Sequence, residues 1–331
     1  MLTDVAETVD LTRPSPAAPK PTCLRDLTRA LTGTDVAEMT PPEQGLTRLM
    51  LNDGRRVFAF RRASADHVRR EVALLTALKA QGAPVPEVVG FRDTMVLQAD
   101  TGMASVAEGM AEADAGEAED LAQRSLHALT LCRAAMDRAP RAKARLTGLG
   151  TRRAWAERQV ARLIFVSYDL GLTPPDLDPE ALTTAILRRS DRFVRWQADL
   201  TKAAVTPDGS VVWRDWQQFG LRGGCEDMAG PLADPNWTLT AAATARVLAD
   251  ALPQVEEHRL VTRMAALLIV SQFARVVDPT RAASAPPAKL NVAQVARLSA
   301  RLRDLCEGDP LLQGCSDWAE RLTPAVCELV Q

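Results

Sequence analysis

The chain has 331 residues, with 40 Lys and Arg against 42 Asp and Glu, a formal net charge of -2, 47% hydrophobic residues and three histidines. At about 150 residues per domain this length predicts two domains or lobes, with enough chain to bury a core without disulfides or metals. The near-neutral balance excludes a strongly basic nucleic-acid binder, and three scattered histidines, His67, His127 and His258, exclude a His-rich metal centre.

Residues 1–21 form a lead-in that closes on RPSPAAPKPT, where four prolines forbid a regular helix. Cys23 to Leu31 has the pattern of a short amphipathic helix stopped by Gly33. Leu46 to Leu51 and Arg56 to Arg61 flank Asn52-Asp53-Gly54, a hairpin signal, and the second run alternates with the period of a strand. From Asp66 to Gln81 the period becomes helical, with Val68, Val72, Leu75 and Leu78 on one stripe, Gly82 at its end and Pro84 beyond. Strands are predicted again at Glu87 to Phe91 and Met95 to Ala99.

The composition then turns alanine-rich. Met103 to Glu119 reads as an exposed linker helix, and Trp155 to Leu170 as a packing helix with Val160, Leu163 and Phe165 at core spacing. One hairpin interrupts the helices, with Val205 to Thr206 and Val211 to Arg214 around Pro207-Asp208-Gly209. Helices resume near Glu226 and are broken at Asp278 to Lys289. The most apolar run, Met264 to Ala274, has no charge between Arg263 and Arg275 and falls well short of the ~18 to 20 residues of a membrane span. It reads as a core helix.

The six cysteines include no CxxC pair, and the acidic amino terminus does not resemble a signal peptide. They are expected to be reduced, mostly buried thiols of a cytoplasmic protein. The order of elements gives an α+β fold of two lobes: a β-rich lobe over 22–100 and a helical lobe over 101–331.

Three segments resemble the aminoglycoside phosphotransferase and choline kinase-like family, whose fold is protein-kinase-like. They are RRVFAFRRASADHVRREVALLTALKAQGAPVPEVV (Arg55 to Val89), TMVLQADTGM (Thr94 to Met103) and WQADLTKAAVTPDGSVVWRDWQQFGLRGGCEDMAGPLADP (Trp196 to Pro235). The resemblance implies an ATP-dependent phosphotransferase acting with Mg²⁺ on a hydroxyl of a small molecule: a sugar, an aminosugar or an amino alcohol. No nucleic acid and no membrane enters that reading. Asp199 would be the catalytic carboxylate, Asp215 the Mg²⁺ ligand, and Arg61 the phosphate-binding cation paired with Glu71. Adenine would lie near Gln98, Ala99 and Asp100. Such residue types suit phosphoryl transfer, whose catalysis is positioning plus electrostatic stabilisation.

The chain departs from the family pattern at three positions. Where the family has H-x-D and, five residues on, Asn, this chain has Gln197-Ala198-Asp199 and Ala204. Alanine offers no oxygen to a metal, and Lys202 is the nearest replacement charge. Arg61 is a planar fork where a compact Lys is usual. A second reading is therefore a pseudokinase of the same fold, binding a partner, including a protein, with little or no catalysis.

Overall fold

The computed structural model describes residues 23–40, 46–102, 104–148, 153–187, 192–196, 198–223, 226–278 and 290–330. Gln197 and Cys225 lie outside the described residues.

The first lobe runs α1 (Leu24–Thr32), β1 (Val36–Met39), β2 (Leu46–Leu51), β3 (Arg56–Arg61), α2 (Ala65–Ala80), β4 (Val88–Arg92) and β5 (Met95–Ala99). Its five strands form one antiparallel sheet in the order β1-β2-β3-β5-β4. The Asn52-Asp53-Gly54 turn closes the β2–β3 hairpin, with Gly54 at φ 82 and its N–H donating to Leu51 O at 3.0 Å. Helix α2 starts where the Ser64 hydroxyl accepts from the His67 N–H at 3.2 Å. Its Val68 and Val72 pack on Phe58, Phe60 and Val96 of the sheet, while Leu74, Leu75 and Leu78 join the core of the second lobe. Thus α2 belongs to both cores. Strand β1 was not foreseen, because three of its four residues are exposed and an edge strand of that kind carries no apolar alternation.

The second lobe comprises α3 (Val106–Glu112), α4 (Ala115–Asp137), α5 (Pro140–Lys143), α6 (Arg153–Asp169), α7 (Pro179–Ile186), β6 (Arg192–Arg195), β7 (Ala203–Val205), β8 (Val211–Trp213), β9 (Phe219–Arg222), α8 (Glu226–Leu232), α9 (Ala241–Ala251), α10 (Val255–Val277), α11 (Val292–Glu307) and α12 (Ser316–Leu329). The predicted linker helix over 103–119 is instead α3 and the start of α4. Two capping boxes, Ser105 with Glu108 and Asp114 with Glu117, begin a helix each, and α3 buries Val106, Ala107 and Met110 rather than lying exposed. Strands β7 and β8 form the expected hairpin. Strands β6 and β9 form a second antiparallel pair between Arg192–Arg195 and Phe219–Arg222, too short and too separated to show in a periodicity.

Helix α10 is longer than its uncharged run suggests and is apolar enough to cross a membrane by composition, but 67% of its most apolar window is buried inside the protein. It packs on α6, α8 and α11 as a core helix. Buried Trp213, Trp216, Trp237 and Trp318 fill the same core. Among the described cysteines Cys132, Cys306 and Cys315 are buried, Cys23 is exposed, and all are free thiols.

Candidate active site

The site forms where β3 and α2 of the first lobe meet the β6-to-β9 segment of the second. Alternation along β3 puts Phe58 and Phe60 on the face toward α2, and the next residue of that face is Arg62, just past the strand end. Its guanidinium lies 4.7 Å from the Phe60 ring centre and makes a fork-to-fork pair with Glu71: Nε to Oε2 at 2.6 Å and Nη2 to Oε1 at 2.7 Å. The expected pairing of Arg61 with Glu71 is therefore corrected by one residue. Arg61 has the opposite parity and is exposed, whereas Arg62 is buried.

Arg62 Nη1 also donates to Asp215 Oδ1 at 2.8 Å, joining the two lobes. The other Asp215 oxygen lies 3.3 Å from Lys202 Nζ, which is 3.4 Å from Asp199 Oδ2. A 3₁₀ turn over Leu200–Lys202 folds Lys202 back between the two carboxylates. The Thr201 hydroxyl donates to Asp199 Oδ1. Lys202, noted in the sequence only as a nearby charge, is thus the bridge of the site. Gln98 Nε2 adds a hydrogen bond to Glu71 Oε1 at 3.0 Å, leaving its own Oε1 buried without a partner.

Burial works to raise the Asp215 pKa, but Arg62, Lys202 and Arg195 together outweigh it and hold the carboxyl below its ordinary range. For Glu71 burial prevails and pushes the pKa up against the pull of Arg62. Burial likewise opposes the charge on Arg62, yet Glu71 and Asp215 hold its pKa above that of a free guanidinium. The bidentate geometry to a guanidinium keeps this buried pair ionised.

Backbone geometry is fixed from behind. Asp215 sits at φ 55, a left-handed conformation that Asp tolerates better than most residues. The buried Arg195 side chain lies between the Trp213 and Trp216 rings, at 5.1 and 5.7 Å, and its Nη2 donates to the carbonyls of Arg214 at 2.6 Å and Asp215 at 3.1 Å. Two buried carboxylates hold the loop that carries Asp199. Asp227 accepts from the Arg195 backbone and from Arg133 Nη2 at 2.6 Å, and Asp234 Oδ2 accepts from the Leu200 N–H at 2.7 Å. Burial raises the pKa of both, that of Asp234 to about 6. Gly230 of α8 completes the seat: a Cβ there would stand 2.2 Å from the Ala198 carbonyl oxygen. Asp227 stands in the segment that carries the family resemblance, but what it and Asp234 and Arg195 do is not legible there, because their roles lie in contacts with distant parts of the chain rather than in a local pattern.

The lobe crossing is partly engaged already. The Ala99 N–H donates to Glu87 O at 2.8 Å and the Asp100 N–H to Arg56 O at 3.0 Å, so neither is free to donate to a base. The Asp100 carboxylate accepts from the Gly102 N–H at 3.0 Å and faces Arg48 Nε at 3.4 Å. Arg48 and Arg214 both reach the Phe58 ring, at 4.8 and 5.2 Å. Ala204 is a buried residue of β7 with no side-chain donor for a metal.

Comparisons agree with this architecture. Residues 46–219 match the model of the phosphotransferase enzyme family, and the chain belongs to that family. Among solved structures, a GDP complex of aminoglycoside 2'-phosphotransferase-IIIa is 15% identical with a TM-score of 0.54, covering 86% of this chain and 97% of that one. The GDP and kanamycin complex of APH(2")-IIia is 16% identical with a TM-score of 0.53, covering 85% and 97%. Choline kinase LicA from Streptococcus pneumoniae is 10% identical with a TM-score of 0.50, covering 86% and 97%. At these identities they establish the two-lobed kinase-like fold. No curated protein sequence matches the chain.

Proposed function

We propose that the protein transfers the γ-phosphoryl group of ATP to a hydroxyl of a small molecule such as a sugar, aminosugar or amino alcohol. One observation carries the reading: Lys202 stands between Asp199, which is half-exposed, and Asp215, which Arg62 ties to Glu71. That arrangement presents one cation, Lys202, to phosphate oxygens and one reachable carboxylate to an acceptor, with Arg62 buried behind them. The nucleobase would lie at the crossing beside Gln98, Ala99 and Asp100, where the Ala99 and Asp100 N–H groups are already taken.

In this mechanism Asp199 orients the acceptor hydroxyl and receives its proton as the oxygen bonds to the γ-phosphorus. The bond to the β–γ bridging oxygen breaks, and ADP carries away that electron pair. Lys202 holds the phosphate oxygens as their charge shifts, while Arg62 fixes Asp215 from behind. Arg61, exposed on the opposite face of β3, has no part in this. Among the described residues no cluster of three or more His, Cys, Asp or Glu could hold a metal alone. The donor set fits one Mg²⁺ brought in with the nucleotide and held through Asp215, since magnesium is commonly bound by one carboxylate plus substrate phosphates. With Ala204 in place of an amide, it does not fit a second ion. When bound, the ion would neutralise charge on the transferring phosphate.

The pseudokinase reading has an observation of its own: both Asp215 oxygens face cations, and two arginines cover Phe58 in the cleft. One experiment decides between them. Release of ADP from ATP, or of GDP from GTP, is measured with and without Mg²⁺ over a panel of sugars, aminosugars and amino alcohols, with Asp199→Asn as control. Turnover that falls at least about 100-fold in Asp199→Asn supports the transferase. Nucleotide binding without turnover on any acceptor supports the second reading, and stabilisation by neither nucleotide ends the transferase and leaves the pseudokinase.

A further inference from the structure

A groove of about 1140 Å³ runs behind α2, bounded by β4 above and by the segment following α5 and by β9 below. It is not the nucleotide cleft. Arg69, Ala73, Thr76 and Ala80 line it at helical spacing, on the face of α2 opposite Glu71. Val88 and Phe91 of β4 add an apolar wall. Among the described residues five arginines and no carboxylate line this groove: Arg69, Arg70, Arg141, Arg145 and Arg222. Asp66, outside it, offsets part of the charge of Arg69 and Arg70, at 3.6 and 3.4 Å.

Arg222 is the unusual member. It is 9% exposed, and its guanidinium lies 3.9 Å from the Trp196 ring centre and 5.7 Å from that of Trp155. Indole rings satisfy the flat face of a guanidinium but not its N–H edge, and Nε and Nη1 of Arg222 are buried without a hydrogen-bond partner. Glu226, whose charge acts on it, accepts from the Gly223 N–H at 2.9 Å. A buried charge with unmade hydrogen bonds, on the wall of an arginine-lined apolar cavity of small-ligand size, calls for an anion.

We propose that the groove binds an organic anion, with its phosphate or carboxylate head on Arg222 and its ring or hydrocarbon body against Phe91, Val88 and the alanines of α2. The site does not depend on the phosphotransferase reading, since none of its residues touches Asp199 or Asp215 in that scheme. The test is calorimetric titration of the full chain with 1-naphthyl phosphate and 1-naphthoate, beside inorganic phosphate and 1-naphthol. At least one of the two aromatic anions is expected to bind, and the tighter one identifies the head. Inorganic phosphate and naphthol should each bind roughly tenfold more weakly or worse. Arg222→Met and, independently, the exposed rim variant Arg145→Glu should each weaken the aromatic anion roughly tenfold. Arg145→Glu keeps the test sound where Arg222→Met fails to fold. Absence of binding, unchanged affinity in Arg145→Glu, or affinity lost only in Asp215→Asn would overturn the proposal, the last by placing the anion in the cleft.

Discussion

Arg62 is buried, charged and shared between carboxylates of both lobes, so its removal affects more than the contacts it makes. Truncation leaves Glu71 enclosed with only Gln98 to answer it. Arg62→Ala is therefore expected to destabilise the protein by about 3–5 kcal/mol, the range for stranding one partner of a buried ion pair. Arg61→Ala, one residue away on the exposed side, should stay within about 0.5 kcal/mol. Paired chemical denaturation of the two variants checks this, and equal effects would reject the assignment of Arg62. The sequence contained the means to choose between the two arginines. Phe58 and Phe60 already marked the inward parity of β3, and Arg62, not Arg61, continues it. Lys202 was less legible, because a 3₁₀ turn rather than a periodic element aims it.

Among the elements, those with a strong local signal lie close to where the sequence puts them: the Asn-Asp-Gly hairpin, α2 with its serine cap, and the Pro-Asp-Gly hairpin. What escaped were elements made by distant partners. The β6–β9 pair and the contacts of Asp227 and Asp234 form only once the loop that carries Asp199 has been laid against α8, and nothing local encodes that packing. Gly230 exposes its strictness. An added methyl would meet backbone, the Ala198 carbonyl at 2.2 Å, which cannot swing aside as a flexible side chain would. Gly230→Ala is expected to cost about 1–3 kcal/mol as an overpacked contact. It should also displace Asp199 and lower any transfer activity by more than the loss of folded protein accounts for. A denaturant midpoint within error of the parent would show that the loop does not rest on α8 as described.

At the scale of the whole molecule, stability should carry the signature of the carboxylate that holds the loop. Asp234 is buried, accepts from the Leu200 and Asn236 N–H groups, and has its pKa raised from 3.8 to about 6, chiefly by burial. An acid whose folded pKa is raised binds its proton more tightly folded than unfolded. Its contribution is thus fully favourable below about pH 4 and is lost as pH rises through about 6. The displacement corresponds to about 3 kcal/mol across that window. Asn at this position keeps a carbonyl oxygen for Leu200 but does not titrate. The stability of the wild type relative to Asp234→Asn should therefore fall by about that amount between pH 4 and pH 7, and the difference should level off above pH 7. Urea unfolding of both proteins at half-unit intervals measures it, and subtraction removes the titrations they share. A difference that is flat with pH, or that rises toward pH 7, would mean that hydrogen bonds from the loop outweigh burial, leaving Asp234 ionised throughout as a fixed anchor.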